Sequence, residues 1–219
     1  MSLKDLEKKL GYYFNDISLL ELALIHKSSN NSSNNERLEY LGDSILTGVI
    51  SEYLFLKFPD EKEGKLTRMR SFLVKGETLT KKANELDLVM FIKLSKGTAN
   101  LSENRKYSIL EGSIESVIGA IFLDNGWDKA KSFILEIFSK ELSELGSDQE
   151  FRDSKTELQE LLQSKKLKPP TYISKESHNG FNCEVELNKN IFTATGNSKR
   201  QAEIAAAKKA LIHLKLENA

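Results

Sequence analysis

The apolar residues of this 219-residue chain repeat with one period before residue 144 and another after residue 152. Up to about residue 145 they recur every three to four positions, the period of helices that bury one face. Beyond the polar connector Glu144-Leu145-Gly146-Ser147-Asp148-Gln149-Glu150, short alternating runs with β-branched residues enter. The chain is therefore expected to fold as two domains, 1–146 and 153–219, the first all-α and the second a small α+β unit.

In the first part, spacing predicts helices over residues 3–10, 17–25, 36–58, 66–74, 78–86, 108–124 and 128–145. The Ser/Asn-rich run from Lys27 to Asn35 reads as a loop, and its last Asn residues suit the N-cap of the helix that follows. Pro59 stops that helix, and Gly64, Gly76 and Gly126 punctuate the others. No strand is expected before residue 145. In the second part a helix is expected over 154–165. Strands follow over 171–175, 182–187 and 191–195, with a turn at Asn188-Lys189-Asn190. Asn197-Ser198 then caps an Ala-rich helix over 199–216. The order is α-β-β-β-α.

Lys+Arg and Asp+Glu both number 32, so the formal net charge is zero. The charge is unevenly placed: residues 153–215 hold eleven Lys/Arg against seven Asp/Glu, which leaves the first part acidic. The single cysteine, Cys183, excludes a disulfide framework within the chain and fits a reducing cytoplasm. The N-terminus alternates charge with leucine and has no signal-peptide core. No apolar run approaches the ~20 residues that span a bilayer. A cytoplasmic protein with no membrane partner is expected.

Glu36, Glu39 and Asp43 are spaced three and four apart, so on a helix they share a face. Leu38, Leu41 and Ile45 form a separate apolar stripe. Clustered carboxylates repel unless a cation sits among them, and a hard divalent ion such as Mg²⁺ prefers oxygen ligands. A solvated acidic face is the plainer alternative. A second carboxylate lies far along the chain. Ile114, Val117, Ile118 and Ile121 make a helix face that must be buried, and Glu115 adjoins it, where an unpaired charge is costly. If the two helices pack together, Glu39, Asp43 and Glu115 converge on one ion.

The segment Asn35-Glu36-Arg37-Leu38-Glu39-Tyr40-Leu41-Gly42-Asp43-Ser44 closely resembles the signature of bacterial ribonuclease III. Leu24-Ile25-His26-Lys27-Ser28, Glu63-Gly64-Lys65-Leu66-Thr67-Arg68-Met69-Arg70 and Ile118-Gly119-Ala120-Ile121-Phe122-Leu123-Asp124 resemble further motifs of that family in the expected order. The resemblance implies an endoribonuclease that hydrolyses double-stranded RNA with Mg²⁺, for which Mn²⁺ substitutes. It implies 5′-phosphate and 3′-hydroxyl ends with short 3′ overhangs, and a role in processing ribosomal precursors and structured messages. It also implies a homodimer formed through the endonuclease domain. By position, Glu39, Asp43 and Glu115 match metal ligands, and Asp43 and Glu115 the catalytic pair. Glu36 and Glu63 match auxiliary acidic residues. One departure stands out: Gly112 occupies the position of the family's fourth ligand, an Asp. Glu111 is adjacent, but one helical step turns a side chain by about 100°. Three arrangements are compatible with this. Water completes the ion's shell; or the site is weakened or inactive, leaving a double-stranded RNA-binding protein; or Glu111 or another carboxylate reaches in through a local distortion.

The second domain resembles the double-stranded RNA-binding domain, on Asp153-Ser154-Lys155-Thr156-Glu157-Leu158-Gln159-Glu160 and Ser198-Lys199-Arg200-Gln201-Ala202-Glu203. Such domains read A-form shape, 2′-hydroxyls and phosphates. The resemblance assigns Lys199 and Arg200 to phosphates, Gln159 and Glu160 to a minor groove, and His178 to a loop contact. Lys208 and Lys209 are expected to be solvated. Tyr172, Phe181 and Phe192 are expected in the core, and His26 and His213 in structural roles.

Overall fold

The computed structural model describes residues 2–29, 32–95, 103–146, 154–177, 180–187 and 190–216. The chain divides into two compact units, residues 1–149 and 150–219.

The first unit is helical: α1 (Leu3–Leu10), α2 (Ile17–Ala23), α3 (Glu36–Lys57), α4 (Glu63–Leu73), α5 (Gly76–Glu85), a 3₁₀ turn at Leu88–Met90, α6 (Glu103–Ile137) and α7 (Ser139–Ser143). Its core is the pair α3 and α6. Leu46, Val49 and Ile50 from α3 are fully buried with Ile114, Val117, Ile118 and Ile121 from α6. Two glycines let these helices touch backbone to backbone. A Cβ on Gly42 would lie 1.8 Å from the Glu115 carbonyl oxygen, and one on Gly119 would lie 2.3 Å from that of Leu38. No larger residue fits at either point. This contact sets Glu115 level with the Glu39–Asp43 turn of α3.

Several helix ends differ from expectation. α4 and α5 begin at Glu63 and Gly76, before the expected 66 and 78, and their N-cap residues, Lys62 and Lys75, make no side-chain cap. With no capping side chain to mark the start, packing decides it. The helices expected over 108–124 and 128–145 are one bent helix and a short successor. α6 starts at Glu103 and bends at Asn125-Gly126, where Gly126 has φ +75°. Asp124, just before the bend, accepts from the Tyr12 hydroxyl at 2.6 Å and from the backbone N–H groups of Asn15 and Asp16 at 2.9 and 2.8 Å. One carboxylate thus ties the α1–α2 loop to α6. A parallel bridge between Ile25 and Lys93 also forms in a region where no strand was expected.

The second unit comprises α8 (Ser154–Ser164), β1 (Thr171–Ser177), β2 (Gly180–Leu187), β3 (Asn190–Gly196) and α9 (Lys199–Leu216). The strands form one antiparallel sheet in the order β1-β2-β3, with Ser174 opposite Cys183 and Cys183 opposite Ala194. Cys183, Val185, Leu187 and Ala194 face a core completed by Leu158 and Leu162 of α8 and Ala202, Ala206, Ala207 and Ala210 of α9. The alanines let α9 lie close on the sheet. Tyr172, Phe181 and Phe192 pack against this core, as expected. β1 and β2 reach further toward each other than expected, to Ser177 and from Gly180.

Candidate metal centre and RNA-binding surface

Glu36, Glu39 and Asp43 stand on the first two turns of α3. The start of that helix is built differently from the expected cap. Asn34 Oδ1 accepts from the Glu36 N–H at 3.0 Å. Asn35, only 2% exposed, makes no side-chain cap, and its amide Oδ1 is buried without a hydrogen-bond partner. Its backbone oxygen accepts from Glu39 N–H at 2.9 Å and lies 3.4 Å from Ser116 Oγ. Asn35 therefore secures the start of α3 against α6, one residue from Glu115.

Glu115 is 9% exposed, and no hydrogen bond or ion pair reaches it among the described residues. Its carboxyl is pushed up to about 8, chiefly by burial and then by the charges of Asp43, Glu111 and Glu39. Burial also raises Glu39, with Glu36 and Glu111 adding to the effect and Lys27 opposing it. Glu111 is raised by burial and by Asp43. Glu39, Asp43, Glu111 and Glu115 thus form one electrostatic cluster, with Glu36 at its edge. Glu111 joins it although its position beside Gly112 suggested otherwise. Its spacing of four from Glu115 was the available sequence signal.

The carboxylates splay rather than converge. Among the described residues, no three Asp, Glu, His or Cys side chains close on a single point. Glu39 has folded over Gly112: a Cβ there would lie 2.7 Å from both Glu39 Cδ and Oε2. Glu111 has folded over the first residue of α5, where a Cβ on Gly76 would lie 2.9 Å from each of its carboxylate oxygens. A hard divalent cation fits this all-oxygen donor set, and the partnerless buried Glu115 is the side chain that such an ion would satisfy.

The other candidates are placed as follows. Glu36 is exposed and pairs with Lys27 at 3.0 Å. Glu63 is exposed at the start of α4 and accepts from Thr67 Oγ1 at 2.9 Å. It does not contribute to the raised pKa values of Glu39, Glu111 and Glu115. His26 Nδ1 accepts from the Ser28 N–H at 3.1 Å, and burial followed by the Lys27 charge holds the ring below its usual pKa.

In the second unit Lys199 and Arg200 are exposed in the first turn of α9. Ser198 Oγ accepts from Gln201 N–H at 3.2 Å, and Gln201 Oε1 accepts from Asn197 N–H at 3.1 Å, a reciprocal cap that fixes this turn. Gln159 and Glu160 are exposed on α8. His178 lies outside the described residues. A link that the sequence did not signal sets α8 beside α9: Lys155 Nζ donates to Glu203 Oε2 at 2.7 Å and sits 4.6 Å from the centre of the Tyr172 ring. Lys209, expected in solvent, donates to the Thr193 carbonyl at 2.7 Å.

Residues 16–142 match the ribonuclease-III-like family, and residues 154–214 match the double-stranded RNA binding motif. The chain is 44% identical over 213 residues to a Ribonuclease 3 of Marinomonas sp. (strain MWYL1), covering 94% of this chain and 93% of that protein. It is 41% identical over 219 residues to a Ribonuclease 3 of Hahella chejuensis, covering 97% and 96%. The nuclease domain of ribonuclease III from Campylobacter jejuni superposes with a TM-score of 0.62 at 42% identity, covering 66% of this chain and 99% of that one. A second structure of that domain, solved to describe flexibility in a region involved in its dimer formation, gives a TM-score of 0.61 at 44% identity, covering 64% and 97%.

Proposed function

Because the chain belongs to the ribonuclease III family of double-strand-specific endoribonucleases, we propose that Glu39, Asp43 and Glu115 hold Mg²⁺ at its catalytic centre, with Asp43 and Glu115 as the catalytic pair. The bound ion supplies charge neutralisation on the scissile phosphate and a water of lowered pKa. Mn²⁺, another oxygen-preferring ion, substitutes. The observation that carries this reading is Glu115, a buried carboxylate without a partner that faces the charges of Asp43, Glu111 and Glu39.

The protein's own groups divide the work. Glu115, whose carboxyl burial raises to about 8, would hold a proton near neutral pH and would give it up to serve as an oxygen ligand. Asp43, exposed on the next turn from Glu39, presents its oxygens toward solvent, where RNA arrives. Glu39 would supply a further oxygen ligand, and water would serve at the position where Gly112 offers no side chain. Glu36 and Glu63 act as auxiliary acidic groups. Lys199 and Arg200 hold phosphates across the major groove of the duplex, while Gln159 and Glu160 face a minor groove. His178 adds a loop contact.

The proposed products carry 5′-phosphate and 3′-hydroxyl ends with short 3′ overhangs, made by a homodimer with two such centres. Phe55 and Leu56 near the end of α3 leave exposed apolar surface that a second copy could cover. Ribosomal precursors and structured messages in the cytoplasm are the proposed substrates. No helix among the described residues is long and apolar enough to cross a membrane. Cleavage of a perfect RNA duplex across a Mg²⁺ series tests the reading, with end-labelled products to define the ends. Binding without cleavage at every Mg²⁺ concentration would sink it.

A further inference from the structure

We propose that Lys27 is a substrate-binding residue of the nuclease unit, with its ammonium contacting an RNA phosphate beside the carboxylate cluster; this rests on the nuclease reading above. An RNA duplex is a dense polyanion, and here it must approach Glu36, Glu39, Asp43, Glu111 and Glu115. One divalent ion offsets only two of those charges. Among the described residues, Lys27 is the cation whose charge acts on Glu39, second there only to burial, and no cation acts on Glu111 or Glu115.

The mounting of Lys27 suits such a contact. Its neighbours are pinned. His26 N–H donates to the Lys93 carbonyl at 3.2 Å, and Ser28 N–H donates to His26 Nδ1 at 3.1 Å. The ammonium itself is in solvent. Among the described residues its partner is Glu36 Oε1, at 3.0 Å, in a pair whose side chains are 62% and 51% exposed. Such open pairs contribute little to folding. A fixed backbone carrying a solvated cation at the rim of an anionic cluster is poorly explained by stability. It is well placed to exchange a carboxylate for a phosphate, and Glu36 is the resting partner in that exchange.

The test compares the full-length wild type with Lys27→Ala and Lys27→Arg on a short perfect RNA duplex. Lys27→Ala is expected to raise KM about tenfold, the loss of one charge-assisted hydrogen bond. It should flatten the slope of log binding constant against log salt by about one, with kcat and Tm near wild type. Lys27→Arg should restore both KM and slope. A KM and salt slope equal to wild type would overturn the proposal. So would a change confined to the Mg²⁺ dependence, which would mean that Lys27 only tunes Glu39, or a fall in Tm large enough to account for the loss. The salt slope is read from binding, so it is informative even if the wild type proves unable to cut; that outcome would count against the nuclease reading and not against Lys27.

Discussion

The carboxylate of Glu39 lies where the side chain of residue 112 would begin, 2.7 Å from the position of a Cβ on Gly112. A long side chain of α3 thus occupies the space into which a side chain at 112 would project. Gly112→Asp would push Glu39 outward, which is cheap because the obstructing atoms end a flexible chain. It would also add a like charge to the cluster. The variant should melt below wild type in chelator and gain more than wild type from Mg²⁺. Its Mg²⁺ affinity should tighten by about tenfold, as expected when a carboxylate joins a hard-ion site. Melting curves with and without Mg²⁺, with a cleavage titration beside them, check this.

Glu115 makes the metal-free protein sensitive to pH. Its carboxyl is raised from 4.5 to about 8, so the fold favours the neutral form. That stability is complete below about pH 4.5 and is lost as pH rises through about 8. Glu115→Gln removes the penalty. In chelator it should match wild type below about pH 4.5 and exceed it by about 5 kcal/mol at pH 9. Cleavage should fall roughly a hundredfold or more, because a few kcal/mol of charge stabilisation goes with the ligand. A variant that is no more stable at pH 9 would refute the assignment of a strained buried charge.

For wild type, the same displacement predicts proton release on metal loading. Between pH 5 and 8 the ion competes with the Glu115 proton, so apparent Mg²⁺ affinity should rise by up to tenfold per pH unit and level off above about 8. Calorimetry in buffers of different ionisation enthalpy measures the released proton directly.

Gly42 is required by the closest approach of α3 and α6. A Cβ there would sit 1.8 Å from the backbone oxygen of Glu115, an atom that cannot swing aside. Gly42→Ala should cost about 3 kcal/mol or more and separate Glu115 from Asp43. Gly64→Ala is the control. The nearest atom to its new Cβ is Arg68 Nη1 at 3.6 Å, so stability should hold or rise slightly. Thermal melts of the pair decide between a packing requirement and a general intolerance of alanine.

In the second unit, Lys199→Ala with Arg200→Ala should weaken duplex binding and flatten its salt slope by about two, one per phosphate contact. The reciprocal cap of Ser198 and Gln201 is untouched, so the fold should persist. An unchanged slope measured by fluorescence anisotropy would remove these residues from the RNA interface.

Much of this molecule was legible along the chain, because much of it is local. The period of the apolar residues predicts the α3 and α9 helices, and alternation predicts three strands whose register later proves regular. Spacings of three and four place Glu36, Glu39 and Asp43 on one face without reference to anything distant. The ends of α4 and α5 were not legible, since no capping side chain marks them. Nor was the role of Asn35, which supports α6 through its backbone where a cap was expected.

What separates the two kinds of knowledge is the range of the interaction. Periodicity is set by a helix or strand acting on its own neighbours, so the sequence determined the elements, their order and the acidic face of α3. That Glu115 stands level with Asp43 follows from a contact between Gly42 and a backbone oxygen more than seventy positions away. That Glu39 lies over Gly112, and Glu111 over Gly76, is decided only when α3, α5 and α6 have packed. Electrostatics and excluded volume act through space, and distance along the chain carries no record of them.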